Sequence, residues 1–116
     1  MGSPWGPMAA DRSPTVTLSD DGVLTVAIDG EFDMAATFAV EPALEQALET
    51  PGLRRCTLDL SALTFIDSTG IGVVLQLAAE LEARGVAFRI VPGPRHVQRV
   101  FTTIGMADVL PFEPAA

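Results

Sequence analysis

The chain has 116 residues, 48% of them hydrophobic, and a formal net charge of −8. That length fits one domain rather than two, with enough apolar material for a core that needs neither disulfides nor a metal. The acidic balance excludes nucleic acid and anionic membrane surfaces as partners, because both require clustered Lys and Arg, and it leaves a basic protein surface as a partner.

Met1 to Pro14 is rich in Pro, Gly and Ala and has no periodicity. It reads as a disordered tail in which Trp5 is incidental and Met8 offers an alternative start. A basic start followed by an apolar block is missing, so this is not a secretory signal. Residues 15–116 are expected to form the single folded domain. Thr15-Val16-Thr17-Leu18 and Val23 to Ile28 alternate with the strand period. Ser19-Asp20-Asp21-Gly22 between them is turn chemistry, so the pair predicts a β-hairpin. Gly30-Glu31-Phe32-Asp33 then leaves the second strand as a loop.

Val40, Ala43, Leu44, Ala47 and Leu48 recur at helical spacing. Pro42 is tolerated only near a first turn, so the regular helix is expected to start close to Glu41 and to end at Pro51-Gly52. Arg55 to Leu60 is a strand, and its lone cysteine, Cys56, reads as a small buried hydrophobe in a reducing compartment. An apolar strand end, Thr64-Phe65-Ile66, runs into Asp67-Ser68-Thr69-Gly70 and directly into a second helix with the stripe Ile71, Val74, Leu75, Ala78 and Leu81. Gly85 stops that helix. Ala87 to Val91 is a strand closed by Pro92-Gly93-Pro94. Val97, Val100, Phe101 and Ile104 form a third stripe up to Gly105, and Val109-Leu110 is a candidate final strand. The order β-β-α-β-α-β-α implies an α/β fold: a mixed four- to five-stranded sheet with helices packed on it and right-handed crossovers. No segment is long and apolar enough to span a bilayer.

Several chemistries are excluded on motif grounds. His96 is the only histidine, and it reads as a surface or capping residue. The surroundings of Ser68 are not G-x-S-x-G, and no His/Cys cluster has metal spacing. Gly70-x-Gly72 is too short for a dinucleotide fingerprint, and no phosphate-binding loop occurs. A phospho-aspartate at Asp67 would need an acidic cluster for a divalent cation and a lysine partner. Asp20 and Asp21 sit in the hairpin turn instead, and the chain contains no lysine. Neither a cofactor nor a metal is expected, and the protein is read as a non-enzyme.

Asp67-Ser68-Thr69-Gly70 has two readings. Asp and Ser are favoured helix N-caps, although Ile71 stands where a capping box needs Glu or Gln. A hydroxyl at a helix N-terminus is equally a place to put a phosphate, where unpaired N–H groups and the positive dipole end meet it. Gly70 reads as a residue that lets the helix pack closely on the sheet.

Asp67 to Val73, preceded by Leu63-Thr64-Phe65-Ile66, resembles the corresponding motif of STAS-domain anti-sigma-factor antagonists of bacterial partner-switching systems. Gly30-Glu31-Phe32-Asp33 and Phe101 to Met106 are also similar, and the likeness runs from Thr15 to Phe112. The resemblance implies a STAS fold in the cytoplasm and phosphorylation of Ser68 by an anti-sigma factor. That partner would itself be a serine kinase of the histidine-kinase-like ATPase fold. The unphosphorylated form would bind the anti-sigma factor and free a sigma factor, and a phosphatase would reset the phosphorylated form. Asp33 would join Asp67, Ser68, Thr69 and Gly70 at the partner surface; its plainer reading is a loop or capping acid. The alternatives are a STAS scaffold or sensor module, a soluble subunit of a lipid-transport complex, and a small hydrolase using Ser68.

Overall fold

The computed structural model describes residues 14–114; the tail reading and Trp5 lie outside the described residues, apart from Pro14. In chain order the elements are β1 (Thr15–Leu18), β2 (Val23–Ala27), β3 (Gly30–Phe32), α1 (Met34–Leu48), β4 (Arg55–Asp59), β5 (Leu63–Ile66), α2 (Ser68–Ala83), β6 (Ala87–Val91) and α3 (Arg95–Thr103). The main sheet has the order β1-β2-β4-β6. β1 is antiparallel to β2, and β2, β4 and β6 are parallel. This is the mixed α/β sheet that the hairpin and the β-α alternation predict.

One segment read as a loop is a strand, and it pairs with the apolar strand end that precedes Asp67. Gly30–Phe32 pairs in parallel with Leu63–Ile66 as a separate two-stranded sheet. The same two stretches of chain therefore pair twice, first as β2–β4 and then, after a jog, as β3–β5. The Gly30 N–H donates to the Ala62 carbonyl at 3.0 Å across the jog. Gly30 has φ +72°, a backbone state that side chains disfavour. Three residues with one buried side chain, Phe32, are too few to show a strand period, which is why the sequence reads as a loop.

α1 begins at Met34, not near Glu41. Asp33 is its N-cap: its Oδ1 accepts from the Ala36 N–H at 3.1 Å. Pro42 sits inside the helix. An interior proline costs about 3 kcal/mol. Burial of Val40, Leu44 and Leu48, at ~1.5–3 kcal/mol per side chain, offsets it. Pro42 is exposed and has no N–H to donate to the Phe38 carbonyl one turn earlier.

The core is built from Leu24, Val26 and Ile28 of β2 and its end, Cys56, Leu58 and Leu60 of β4 and its end, and Ile90 of β6. Against them lie Val40 and Leu44 of α1, Val74, Leu77 and Leu81 of α2, and Val97 and Phe101 of α3. The α2 stripe differs from the sequence reading: Leu75 is exposed, while Val73 and Leu77 are buried. An all-apolar run such as Ile71 to Leu75 does not define its own inner face. Ile104 is likewise exposed. Val109-Leu110 is not a strand; the residue that bridges β6 is Phe112, opposite Ile90. Phe112 also meets Phe101 edge-on, with ring centroids 5.1 Å apart.

Thr37 is buried in α1, and its hydroxyl has no hydrogen-bond partner. A buried unpaired hydroxyl is a net cost. Thr37→Val should therefore stabilise the protein by about 1 kcal/mol, read as a higher urea midpoint at unchanged m.

Candidate functional site

The register of the small sheet builds the site. Phe32 is the Cα partner of Ile66, so the next residues, Asp33 and Asp67, leave adjacent parallel strands side by side. Each caps a helix. α1 and α2 thus start next to each other at one edge, with their positive dipole ends together. The Asp67 N–H donates to the Phe32 carbonyl at 3.2 Å, which ties the second cap to the first strand.

Asp67 organises its turn with one oxygen. Oδ1 accepts from the Thr69 N–H at 3.0 Å, the Gly70 N–H at 3.1 Å and the Thr69 hydroxyl at 2.5 Å. The Thr69 hydroxyl and the Gly70 N–H hold the Asp67 carboxyl below the usual carboxylate range, with the Thr69 N–H adding to them against a smaller desolvation effect. Thr69 is half-buried and committed to this cap. Ser68, the first residue of α2, is exposed, and its hydroxyl takes no part in the hydrogen bonds of the cap.

Gly70 is fully enclosed. A Cβ built on it would stand 2.5 Å from the Phe32 carbonyl oxygen, 2.9 Å from Phe32 Cγ and 3.0 Å from Ile66 Cγ1. The first turn of α2 lies directly on the backbone of β3, and only a residue without a side chain fits there.

His96 does not serve Ser68. Its Nε2–H donates to the Thr64 carbonyl at 2.7 Å and pins the start of α3 to β5. Cys56 is buried, and desolvation pushes its thiol up to about 12, which makes it a poor nucleophile. No group of three or more His, Cys, Asp and Glu able to hold a metal occurs among the described residues. No helix among them is long and apolar enough to cross a membrane.

The structure thus brings Asp33, Asp67, Ser68, Thr69 and Gly70 to one edge. Sequence reasoning missed how early α1 starts, and with it the exposure of Met34 and Phe38 beside that edge. A signal was present: Asp33 precedes a run of good helix formers and is itself a favoured cap.

The STAS domain profile matches residues 15–115. The anti-sigma-F factor antagonist RsfB of Mycobacterium tuberculosis is 32% identical over 101 residues, covering 85% of this chain and 80% of RsfB. A crystal structure of an anti-sigma factor antagonist from Mycobacterium paratuberculosis is 31% identical with a TM-score of 0.61, covering 91% of this chain and 90% of that one. The fold also matches the antagonist SpoIIAA. Its unphosphorylated form has a TM-score of 0.76 at 21% identity, covering 90% of this chain and 89% of that one. The phosphorylated form of this Bacillus protein has a TM-score of 0.72 at 20% identity, covering 90% and 92%.

Two outcomes test this geometry. Gly70→Ala should destabilise the protein by about 1–3 kcal/mol through overpacking against Phe32, measured by denaturant unfolding. The depressed Asp67 carboxyl contributes stability that is present above its unfolded value, about pH 4, and is lost as pH falls through its lower folded value. Asp67→Asn should therefore remove part of the stability loss seen between neutral pH and strong acid, followed by thermal melts across that range.

Proposed function

The chain belongs to the STAS domain family, and from that premise we propose that it is an anti-sigma-factor antagonist whose binding is switched off by phosphorylation of Ser68. The observation that carries this reading is the division of roles in the first turn of α2. Asp67 and Thr69 hold the turn, while the Ser68 hydroxyl is exposed at its tip. A kinase can reach that hydroxyl without unfolding anything. The names of relatives such as RsfB point the same way.

The physics of the switch follows from the position. Phosphorylation adds about −1.5 to −2 charges and three acceptor oxygens. At a helix N-terminus the dipole tolerates them, worth ~0.3–1 kcal/mol when exposed, so the fold need not change. In a close interface the same group must be desolvated next to Asp67 and Asp33. A loss of about 4 kcal/mol there corresponds to roughly a thousandfold in affinity, enough to release a partner.

In this scheme the unphosphorylated protein binds an anti-sigma factor that is also its serine kinase, and a sigma factor is freed. A phosphatase resets the phosphorylated form in the cytoplasm. Asp33, Asp67, Ser68 and Thr69 make the partner surface; Gly70, expected there from the sequence, is buried against Phe32 and supports that surface from beneath. The protein acts as a rigid plug whose surface charge is edited, with no catalysis of its own.

The test incubates the purified chain with the host's candidate anti-sigma kinases and ATP and records intact mass. A gain of one phosphate, lost in Ser68→Ala, is the expected result. Ser68→Ala should keep the partner complex formed in ADP, and Ser68→Asp should weaken it with the fold intact. No phosphate gain and no complex with any candidate would turn the assignment toward a STAS scaffold or transport subunit in which Ser68 only starts a helix.

A further inference from the structure

Gly72 is the one residue of the Asp67 to Val73 motif that neither the fold nor the proposed switch explains. It lies inside α2, is exposed, and has an ordinary helical backbone. A Cβ built on it meets nothing within 4 Å. Glycine inside a helix is less stable than alanine because it loses more backbone freedom on folding. The chain carries that cost with no intramolecular contact that requires it, in contrast to Gly70.

Its position supplies the reason. Ser68, Gly72, Gln76 and Glu80 follow at i, i+4, i+8 and i+12, a single ridge along α2. Gly72 is a notch in that ridge, one turn from Ser68. Farther along, Gln76 and Glu80 form one wall of a groove between α1 and α2, with Leu44 and Leu77 beneath and Glu41 and Glu45 on the other wall. On α1, Met34, Phe38, Glu41 and Glu45 share one face at i, i+4, i+7 and i+11. Met34 is 54% exposed and Phe38 67%. Large apolar side chains so open to water are an uncompensated exposure in an isolated chain. Glu41 and Glu45 have no ion-pair partner among the described residues, and Glu80 has only an exposed, loose contact with Arg84 at 3.6 Å.

We propose that the α1–α2 groove, entered over the notch at Gly72, is the docking track for a basic amphipathic segment of the anti-sigma partner. This rests on the function proposed above and assigns the surface that gives the partner its affinity. The partner's backbone crosses α2 at Gly72, where a side chain would hold it off. Its apolar side chains cover Met34 and Phe38, and its Arg or Lys groups meet Glu41, Glu45 and Glu80. Charge complementarity and continuity with the Ser68 edge select this occupant. The track begins one helical turn from the phosphoacceptor, so a phosphate at Ser68 stands at its entrance.

The experiment uses the full chain and, as probe, the kinase that phosphorylates it on Ser68, with complex formation in ADP measured by calorimetry. Gly72→Ala should melt at or above the wild-type temperature, yet bind severalfold more weakly. Gly72→Gln and Phe38→Ala should each weaken binding by about tenfold or more, as central interface positions do. The double variant Glu41→Gln/Glu45→Gln should slow association and flatten its salt dependence. A kinase that binds all of these variants within about twofold of wild type overturns the docking track and leaves the phosphoswitch standing. Failure of every candidate kinase to bind or phosphorylate the wild-type chain overturns both.

Discussion

The close approach of the first turn of α2 to the backbone of β3 is the constraint on which the rest of the site depends. Gly70 sits against the Phe32 carbonyl, and the Asp67 N–H donates to that same oxygen. Both contacts require β3 and β5 to be parallel neighbours in the Phe32–Ile66 register. Given that register, two helices must start side by side, and both begin with an aspartate cap. A slip of one residue would turn Phe32 and Ile66 out of the core and separate the caps. The hydrophobic core and the edge that carries Asp33, Asp67 and Ser68 are thus fixed by one pairing.

That arrangement separates what holds the edge from what it presents. Asp67 Oδ1 accepts from Thr69 and Gly70, which holds the turn without any help from Ser68. A hydroxyl released from structural duty can change its charge while the turn stays as it is. Under the proposed switch, the regulatory energy comes from desolvating the phosphate at an interface rather than from a rearrangement of the fold. The exposed Met34 and Phe38, the notch at Gly72 and the acidic walls behind them extend the same edge into a longer surface.

Much of this was legible in the amino-acid sequence. The hairpin, the three parallel strands and the three helices follow from apolar periodicity and turn chemistry. The motif at Asp67 to Val73 located the helix start and its exposed serine. These features are local: caps, turns and period-2 or period-3.6 patterns are set by residues within a few positions of one another.

What the tertiary structure alone decided is non-local. Gly30–Phe32 is a strand only because Leu63–Ile66 lies beside it, and α1 runs through Pro42 only because its buried face outweighs one lost hydrogen bond. The apolar run at the start of α2 could have turned either Leu75 or Leu77 inward; packing against α1 and the sheet made the choice. The contrast between Gly70 and Gly72 is the clearest case. They are two residues apart on one helix; the sequence reads Gly70 as a close-packing residue and assigns no role to Gly72. Contact with Phe32 makes the first obligatory for the fold, and open space around the second leaves its side-chain-free surface available to a partner.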